Sequence, residues 1–522
     1  MPPCSRQPDE YELVRRGSND SKETFDLDEA DFQTQGSKSP AYLNQRRSQL
    51  SWFLSKINPL RLRAPSRYNR QRREQSKVPW LPTRIRLHKP AFRLCFHLLV
   101  LICVLSALVV LTATFRPSYS KQPAHYQILS DRVKSSEDYG RANPEHQKIF
   151  IAASIYDAGG HLLGGSWGEA VLRLIDMLGN RNVYLSIYEN SAGEEAGNAR
   201  FRFEKKVQCP HTLVLEDSSD LDDLSQVTLP DGSKRTKRIS YLAEARNRAL
   251  LPLDDDADVK YDKLLYLNDI AFDPLAAAQL LLSTNLDEHG NTAYRAACAV
   301  DFINPFKFYD TYATRDLEGY SMGVPFFPWF TNAGHGYSRA DVLAGKDAVR
   351  VKSCWGGMVA FDARPFQAEA PLRFRATEDT YWDASECCLI HADILKDATF
   401  EGNGDYVGVY MNPFVRVAYG SSTLAWLPTV QRFERLFSLP HNLISHLVGM
   451  PWLNPRRTEE AGAKAEDEVW VADTSLKDGG SFQTRLREAR GDGYCGVRML
   501  QVTKETPREG EKNWESLPVP PG

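Results

Sequence analysis

The stretch Tyr261-Asp-Lys-Leu-Leu-Tyr-Leu-Asn-Asp269 decides the fold. Its apolar run, Leu264 to Leu267, reads as a strand buried on both faces, because a half-exposed strand would alternate apolar with polar residues. The run stops at Asn268-Asp269, and Asp273 follows just before Pro274. A buried strand whose carboxyl end delivers carboxylates to a crevice is where an open α/β sheet places its ligand. Hard oxygen ligands at such a place suit Mg2+ or Mn2+, and such a metal can bridge to a diphosphate. That reading makes the stretch the metal and nucleotide-sugar corner of a glycosyltransferase. The plainer alternative is that Asn-Asp starts a turn and caps the helix after Pro274.

The sequence before this stretch repeats strand and helix. Lys148 to Ile155 reads as a first strand ending in Tyr156-Asp157, followed by the glycine-rich loop Gly159-Gly-His-Leu-Leu-Gly-Gly165. Trp167 to Leu178 has helical period and ends at Gly179-Asn180, a helix stop. Asn182 to Tyr188 is a second strand, ending in Glu189-Asn190. Helical sequence from Glu194 to Lys206 leads to a third strand, Thr212 to Leu215, and Ser218 to Arg238 reads as a surface loop. Arg238 to Leu251 is a helix by period. Four strand and helix alternations predict a parallel α/β sheet up to Asp269. The glycine loop lacks the Gly-Lys-Ser/Thr of a Walker motif and does not match G-x-G-x-x-G. It is either a turn needing small residues or a nucleotide-binding loop. Arg246 and Arg248 flank Asn247, and arginine forks suit phosphate oxygens, as they also suit a solvated helix face.

After Asp269 the chain changes character. Strand-like segments alternate with aromatic and Gly/Pro-rich loops. In Lys352 to Asp362, Trp355 beside Gly356-Gly357 suits a sugar ring against the backbone, or else a bulged strand. In Asp379 to Asp393, a helical segment carries Glu386 beside Cys387 and Cys388, a candidate buried acid. Ser422 to Trp452 reads as helices packing on the core, with His441 and His446 as packed histidines or a late metal ligand.

Residues 1–93 are polar, acidic early and basic from Arg61 to Arg93, with little apolar period, and read as a disordered tail. Leu94 to Phe115 holds about 22 residues without Asp, Glu, Lys or Arg, enough to span a bilayer as a helix. It lies too far from Met1 for a cleavable signal. The basic bias before it puts the N-terminus in the cytosol, giving a single-pass type II membrane protein. The expected layout is a cytosolic tail at 1–93, a signal anchor at 94–115, a stem at 116–147, a lumenal domain at 148–455 and a flexible tail at 456–522. That is the layout of a Golgi or other secretory-pathway glycosyltransferase. A formal net charge of −3 gives no reason to invoke nucleic acid. Beyond the span lie Cys209, Cys298, Cys354, Cys387, Cys388 and Cys495, enough for up to three disulfides in an oxidising lumen. Cys387 and Cys388, being adjacent, should take different partners. Cys-x-x-Cys spacing for zinc is absent.

Six segments together resemble the fungal capsule-associated α-1,3-mannosyltransferases, glycosyltransferase family 69. They are Ile149-Phe-Ile-Ala-Ala-Ser154, Ser240-Tyr-Leu-Ala-Glu-Ala-Arg-Asn-Arg-Ala-Leu250, Leu265-Tyr-Leu-Asn-Asp269, Cys354-Trp-Gly-Gly357, Ser385-Glu-Cys-Cys-Leu389 and Asn412-Pro-Phe-Val-Arg-Val-Ala-Tyr419. They span roughly residues 148 to 420. The resemblance implies an α/β fold of GT-A type, a mixed and mostly parallel sheet flanked by helices. It implies GDP-mannose as donor, a glycan acceptor in fungal polysaccharide or cell-surface glycan synthesis, and a divalent cation, Mn2+ or Mg2+. An Asp-x-Asp motif usually holds the metal in such enzymes; here its first position is Leu267, which leaves Asp269 as ligand and Asn268 as a weaker one. The implied catalytic carboxylate is Glu386, with Asp379 as rival; the third possibility is a structural Glu386 paired with an arginine such as Arg375. Donor-binding candidates are Ser154, Tyr156, Glu189, Arg246, Asn247 and Asn268, with Trp355, Gly356 and Gly357 lining the sugar pocket. The competing function is a non-catalytic family member that serves polysaccharide export or scaffolds other transferases. Retention of both Asp269 and Glu386 favours the enzyme.

Overall fold

The computed structural model describes residues 89–190, 193–216, 224, 226–255, 259–396, 408–473, 475–476, 479–504 and 513–520. The expectations for residues 1–88 lie outside these. Helix α1 (Lys89–Phe115) contains the apolar span Phe96–Phe115, whose mean hydropathy is 2.8 and none of which is buried against the protein. It is long and apolar enough to cross a membrane. Helix α2 (Ala124–Ser135) follows within the expected stem. This segment is not a free spacer. Tyr119 and Tyr126 are buried, Tyr119 donates its hydroxyl to the Val342 carbonyl at 2.9 Å, and Asn412 donates to the Tyr126 hydroxyl at 2.7 Å. Two tyrosines at this point supply apolar area that polar composition alone hides.

The parallel half is built as its sequence period requires. Strand β1 (Ile149–Ile155) is followed by α3 (Ser166–Leu178), β2 (Val183–Glu189), α4 (Glu194–Glu204), β3 (His211–Leu215), α5 (Arg238–Arg248), β4 (Lys263–Leu267) and α6 (Pro274–Ser283). β4 is buried at every position because both sheet faces are covered. Leu264 and Tyr266 enter one core with Phe150, while Leu265 and Leu267 enter the other with Ile149 and Ile151. Gly179, at φ 94°, ends α3 and donates its N–H to the Ile175 carbonyl. Within the expected 218–238 loop, Gln226–Thr228 and Lys234–Thr236 pair as a short hairpin.

The second half completes the sheet with β5 (Ala296–Asn304), β6 (Lys307–Phe308), β7 (Arg315–Asp316), β8 (Val349–Ser353), β9 (Met358–Asp362) and β10 (Val409–Ala418). Helices α7 (Tyr337–Ala344), α8 (Glu386–Ile394), α9 (Ser421–Val430) and α10 (Ser438–Leu447) surround it. The ten-stranded order is β3-β2-β1-β4-β9-β5-β10-β8-β7, with β6 beside β5. β1 to β4 are mutually parallel, and β10 is parallel to β5. β9 runs antiparallel between β4 and β5, and β8 antiparallel to β10. The fold is therefore the expected mixed, mostly parallel sheet flanked by helices. The chain steps outward from β1 to β3 and then returns to β4 on the other side of β1. That reversal opens a crevice at the carboxyl ends of β1 and β4.

The segment 456–522, expected as a flexible tail, carries ordered structure that packs on the domain. Lys464–Ala472 and Gly480–Glu488 form an antiparallel hairpin, Leu500–Thr503 pairs with Trp514–Leu517, and Gly496–Val497 pairs with Asp383–Ala384. Trp470 packs against Tyr381 and Phe482, and the many charges are consumed in ion pairs such as Arg487 with Asp467 at 3.0 Å. A disulfide joins Cys495 to Cys388 on α8, and a second joins Cys298 on β5 to Cys354. Cys387 and Cys209 remain thiols.

Candidate active site

A pocket opens at the carboxyl ends of β1, β2 and β4, where the strand order reverses. Ser154 and Tyr156 line it from the end of β1, Asn190 from the end of β2, and Asn268 and Asp269 from the end of β4. Arg246 reaches it from α5, Glu386 from the first turn of α8, and Trp355 from the loop before β9. Seven of the residues named from sequence thus share one pocket. Ser385 caps α8 by accepting the Cys387 N–H at 3.2 Å, which sets Glu386 at the first helical position.

Arg246 is the hub. Its Nε donates to Glu386 Oε1 at 2.9 Å and its Nη1 to Asn268 Oδ1 at 3.1 Å. Its guanidinium lies 4.4 Å from the Trp355 ring centre and 5.4 Å from that of Tyr266. Burial works against the Arg246 charge, but Cys387 and Glu386 beside it outweigh that and push its pKa above the ordinary value. Glu386 is 2% exposed and pairs with Arg246, not with Arg375, which holds Asp393 and Asp492 instead.

Asn268 is fully engaged. Besides Arg246, Trp355 Nε1 donates to its Oδ1 at 3.3 Å, Trp167 Nε1 donates to its carbonyl at 2.9 Å, and its N–H donates to Gly357 O at 2.9 Å. It fixes the backbone that presents Asp269; its amide oxygen already serves two donors. Asp273 caps α6 by accepting the Leu275 N–H at 3.0 Å, so the plainer turn-and-cap reading describes Asp273 while Asp269 faces the pocket.

Five candidates fall outside the pocket. Asn247 clamps the Phe374 backbone, accepting its N–H at 2.8 Å and donating to its carbonyl at 2.9 Å. Glu189 is buried at the end of β2, in register with Ile155 and Leu215. Asp379 binds Arg456 at 2.7 Å. Gly356 and Gly357, at φ 59° and 66°, are needed for packing. A Cβ on Gly356 would run into the Ala299 carbonyl of β5, and one on Gly357 would meet Ile270 at 2.7 Å. The glycine loop 159–165 is held by Asp157, whose carboxylate accepts the N–H groups of His161, Leu162 and Leu163 at 2.7 to 3.0 Å. Those amides are spent on the turn. The late histidines are elsewhere: His441 is buried against Arg339 and the Val324 carbonyl, and His446 is exposed.

The sequence reading missed the opposite wall, made by Tyr309, Asp310 and Tyr419. Asp310 accepts the Ala313 N–H at 3.0 Å, and the Asp310 N–H donates to Asp301 Oδ1 at 3.1 Å. Tyr419 donates its hydroxyl to Asp301 Oδ2 at 3.3 Å. Burial raises the pKa of both carboxyls, that of Asp301 well above the usual carboxylate range. Burial also raises that of the Tyr419 hydroxyl, helped by the charges of Asp301, Asp269 and Asp310, so these acids converge on one wall. The only trace of this wall in the sequence is an acid in a long aromatic loop, which has no period to fix its direction.

Among the described residues, one cluster has metal-ligand spacing, Cys298, Cys354 and His391. Both its thiols are spent in a disulfide, and burial holds the His391 pKa down to about 4. In the pocket, Asp269 offers a carboxylate that could hold a cation. A site with few protein ligands suits Mn2+ or Mg2+ bound largely through substrate phosphates and water.

Residues 148–393 match the family model described as Cryptococcal mannosyltransferase 1. Among solved structures, the chain is similar to the mannosyltransferase PcManGT from Pyrobaculum calidifontis in complex with GDP-Man and Mn2+. The identity is 13%, the match covers 62% of this chain and 74% of that one, and the TM-score is 0.29. It is also similar to mannosyl-3-phosphoglycerate synthase from Rubrobacter xylanophilus, at 12% identity, 70% and 96% coverage, and a TM-score of 0.27. No curated protein matches. The match over residues 148–393 supports the capsule-associated mannosyltransferase family for that segment, and the chain is a glycosyltransferase.

Proposed function

We propose that the chain transfers mannose from GDP-mannose to a hydroxyl of a glycan acceptor in this pocket. The observation that carries this reading is the charge inventory. Among the described residues lining the pocket, Asp269, Asp310 and Glu386 face a single cation, Arg246, which is already bonded to Glu386. A diphosphate entering such a site needs a positive partner, and Asp269 would hold the Mn2+ or Mg2+ that supplies it. When bound, that cation stabilises the negative charge of the departing diphosphate. Glu386 faces the other requirement. Sugar transfer passes through an oxocarbenium-like state, which a buried carboxylate stabilises while it orients or accepts the acceptor's proton. Trp355 lines the pocket where the sugar would lie, and Arg246 holds Glu386 in place.

A donor screen with the full-length chain tests the reading. GDP-mannose should be turned over in the presence of Mn2+, or slowly hydrolysed when acceptor is absent. No turnover of any nucleotide sugar with either cation would favour the scaffold reading. The metal assignment has its own test. Asp269→Asn keeps the side-chain size but removes the charge; activity should fall at least about tenfold and the Mn2+ titration should shift to higher concentration. An unchanged Mn2+ titration would remove Asp269 from the metal site.

The α-1,3 linkage and the role in fungal polysaccharide or cell-surface glycan synthesis rest on the sequence resemblance. Type II orientation with a lumenal catalytic domain in the Golgi is supported by α1 and by two disulfides in the domain beyond it, which persist in an oxidising compartment. Protease added to sealed microsomes should then remove an N-terminal tag and spare the domain. A protected tag would reverse the orientation.

A further inference from the structure

Helix α10 is inside out for a helix on a soluble domain. Leu439, Leu443 and Leu447, spaced four residues apart on one stripe, are 78%, 62% and 64% exposed. Two of its polar residues point inward, while His446 is exposed: His441 and Ser445 are buried, with Ser445 accepting the Val324 N–H at 3.1 Å. Those bonds fix the helix's rotation, so the leucines cannot turn in. Just beyond the helix, Val448 and Leu453 are also exposed. A patch of this kind on a rigid element marks a contact surface.

What it contacts follows from where α1 leaves the domain. The apolar span ends at Phe115, and Ser118 already donates its N–H to the Gln431 carbonyl, immediately after α9, at 2.8 Å. α1 also comes against the turn Glu434–Phe437, which leads directly into α10 at Ser438. That turn is rigidly tied to the sheet. Glu434 accepts both Nη groups of Arg416 on β10, at 2.9 and 2.7 Å, and all three groups are buried. Arg116 and Pro117 alone separate the end of the span from the docked backbone. A helix of this length is roughly 15 Å long, so its leucines lie within a short reach of the point where the span ends.

We propose that α10 is an interfacial helix: Leu439, Leu443 and Leu447 dip into the headgroup and acyl boundary of the same bilayer that α1 crosses. The proposal rests on α1 being the membrane anchor. An amphipathic helix lying in the interface plane with leucines down is a recognised mode of membrane contact. Together with α1 it would hold the catalytic domain in one orientation against the membrane, in place of a domain swinging on a free stem. Strand β10 ends beside Tyr419 of the pocket and passes straight into α9 and then α10, so the pocket's height above the lipid would be set by the same contact.

The test uses the full-length chain in proteoliposomes containing radiolabelled phosphatidylcholine. The photo-crosslinker p-benzoylphenylalanine replaces Leu443 in one variant and Leu447 in a second. It replaces Leu486, 63% exposed on the C-terminal hairpin, in a control. Irradiation should attach labelled lipid at 443 and 447 and none above background at 486. Carbonate extraction of the same samples tests the anchor separately. Carbonate-resistant protein with no lipid adduct at 443 or 447, or with a cross-linked dimer in its place, overturns the interfacial helix and leaves the anchor standing. Protein released by carbonate overturns both.

Discussion

Glu386→Gln is expected to lower kcat for mannosyl transfer by about a hundredfold or more, the scale of a general acid–base group, while leaving GDP-mannose affinity nearly unchanged. The substitution keeps an oxygen for the Arg246 Nε–H but removes the negative charge opposite a buried guanidinium. Stability will therefore fall as well. Removing one member of a buried pair costs about 3–5 kcal/mol, and the retained oxygen and the Asn268 amide should keep the loss below that. The two effects separate by experiment. A thermal melt reports the lost pair, and turnover at a temperature where the variant is folded reports the chemistry. Asp310→Asn is the necessary companion, because Asp310 lines the pocket together with Glu386 and Asp269. If Asp310→Asn loses turnover and folded Glu386→Gln keeps it, the catalytic role moves to Asp310. Asp379→Asn should spare kcat, since Asp379 is engaged with Arg456 away from the pocket.

The contrast among Asp269, Glu386 and Asp310 shows what the sequence could and could not reveal. Asp269 was legible because it ends an apolar run that must be a buried strand, and strand ends point at the crevice of an α/β sheet. Glu386 was legible as an acid on a short helix, but its partner was not: the sequence reading offered Arg375, and the packing of α5 against α8 supplies Arg246 instead. Asp310 was invisible. It sits in a loop without period, held at the pocket by donating its N–H to Asp301 and by accepting those of Ala313 and Gly356. The same limit applies to the sheet. Its parallel half follows from local alternation of strand and helix, whereas the insertion of β9 between β4 and β5 is a long-range pairing with no local signature. Charge density misled the reading of the C-terminal segment. Lys464–Ala472 alternates in exposure as a half-buried strand should, but its acidic residues mask that alternation until their arginine partners are seen across the hairpin.

Breaking the Cys388–Cys495 bond is expected to cost more than any surface substitution. Its partners are 107 residues apart, and the chain-entropy estimate for a loop of about 100 residues is about 4.7 kcal/mol, with measured losses commonly about 2–5 kcal/mol. The loss should also reach the chemistry. Cys388 follows Glu386 by two residues on α8, and it ties that helix to the C-terminal segment. Other bonds hold the same segment: Arg315 donates to the carbonyls of Tyr494 and Cys495 at 2.7 and 3.0 Å, and Asn454 to those of Gly493 and Gly496 at 2.9 and 3.0 Å. The Cys388→Ala/Cys495→Ala variant should therefore fold, melt at a clearly lower temperature, and turn over more slowly as the first turn of α8 loosens. The Cys298–Cys354 bond, removed in a second variant, closes a shorter loop, its partners 56 residues apart. Halving the separation changes the entropic effect by only about 0.6 kcal/mol, so the two variants should lose similar stability. They should differ in kcat, because Cys388 shares the Glu386 helix, while Cys354 adjoins Trp355 on the sugar side. If the wild-type chain melts at the same temperature with all six cysteines beyond the apolar span shown by mass to be reduced, the bond contributes nothing and the C-terminal segment is held by its other contacts, those of Arg315 and Asn454 among them.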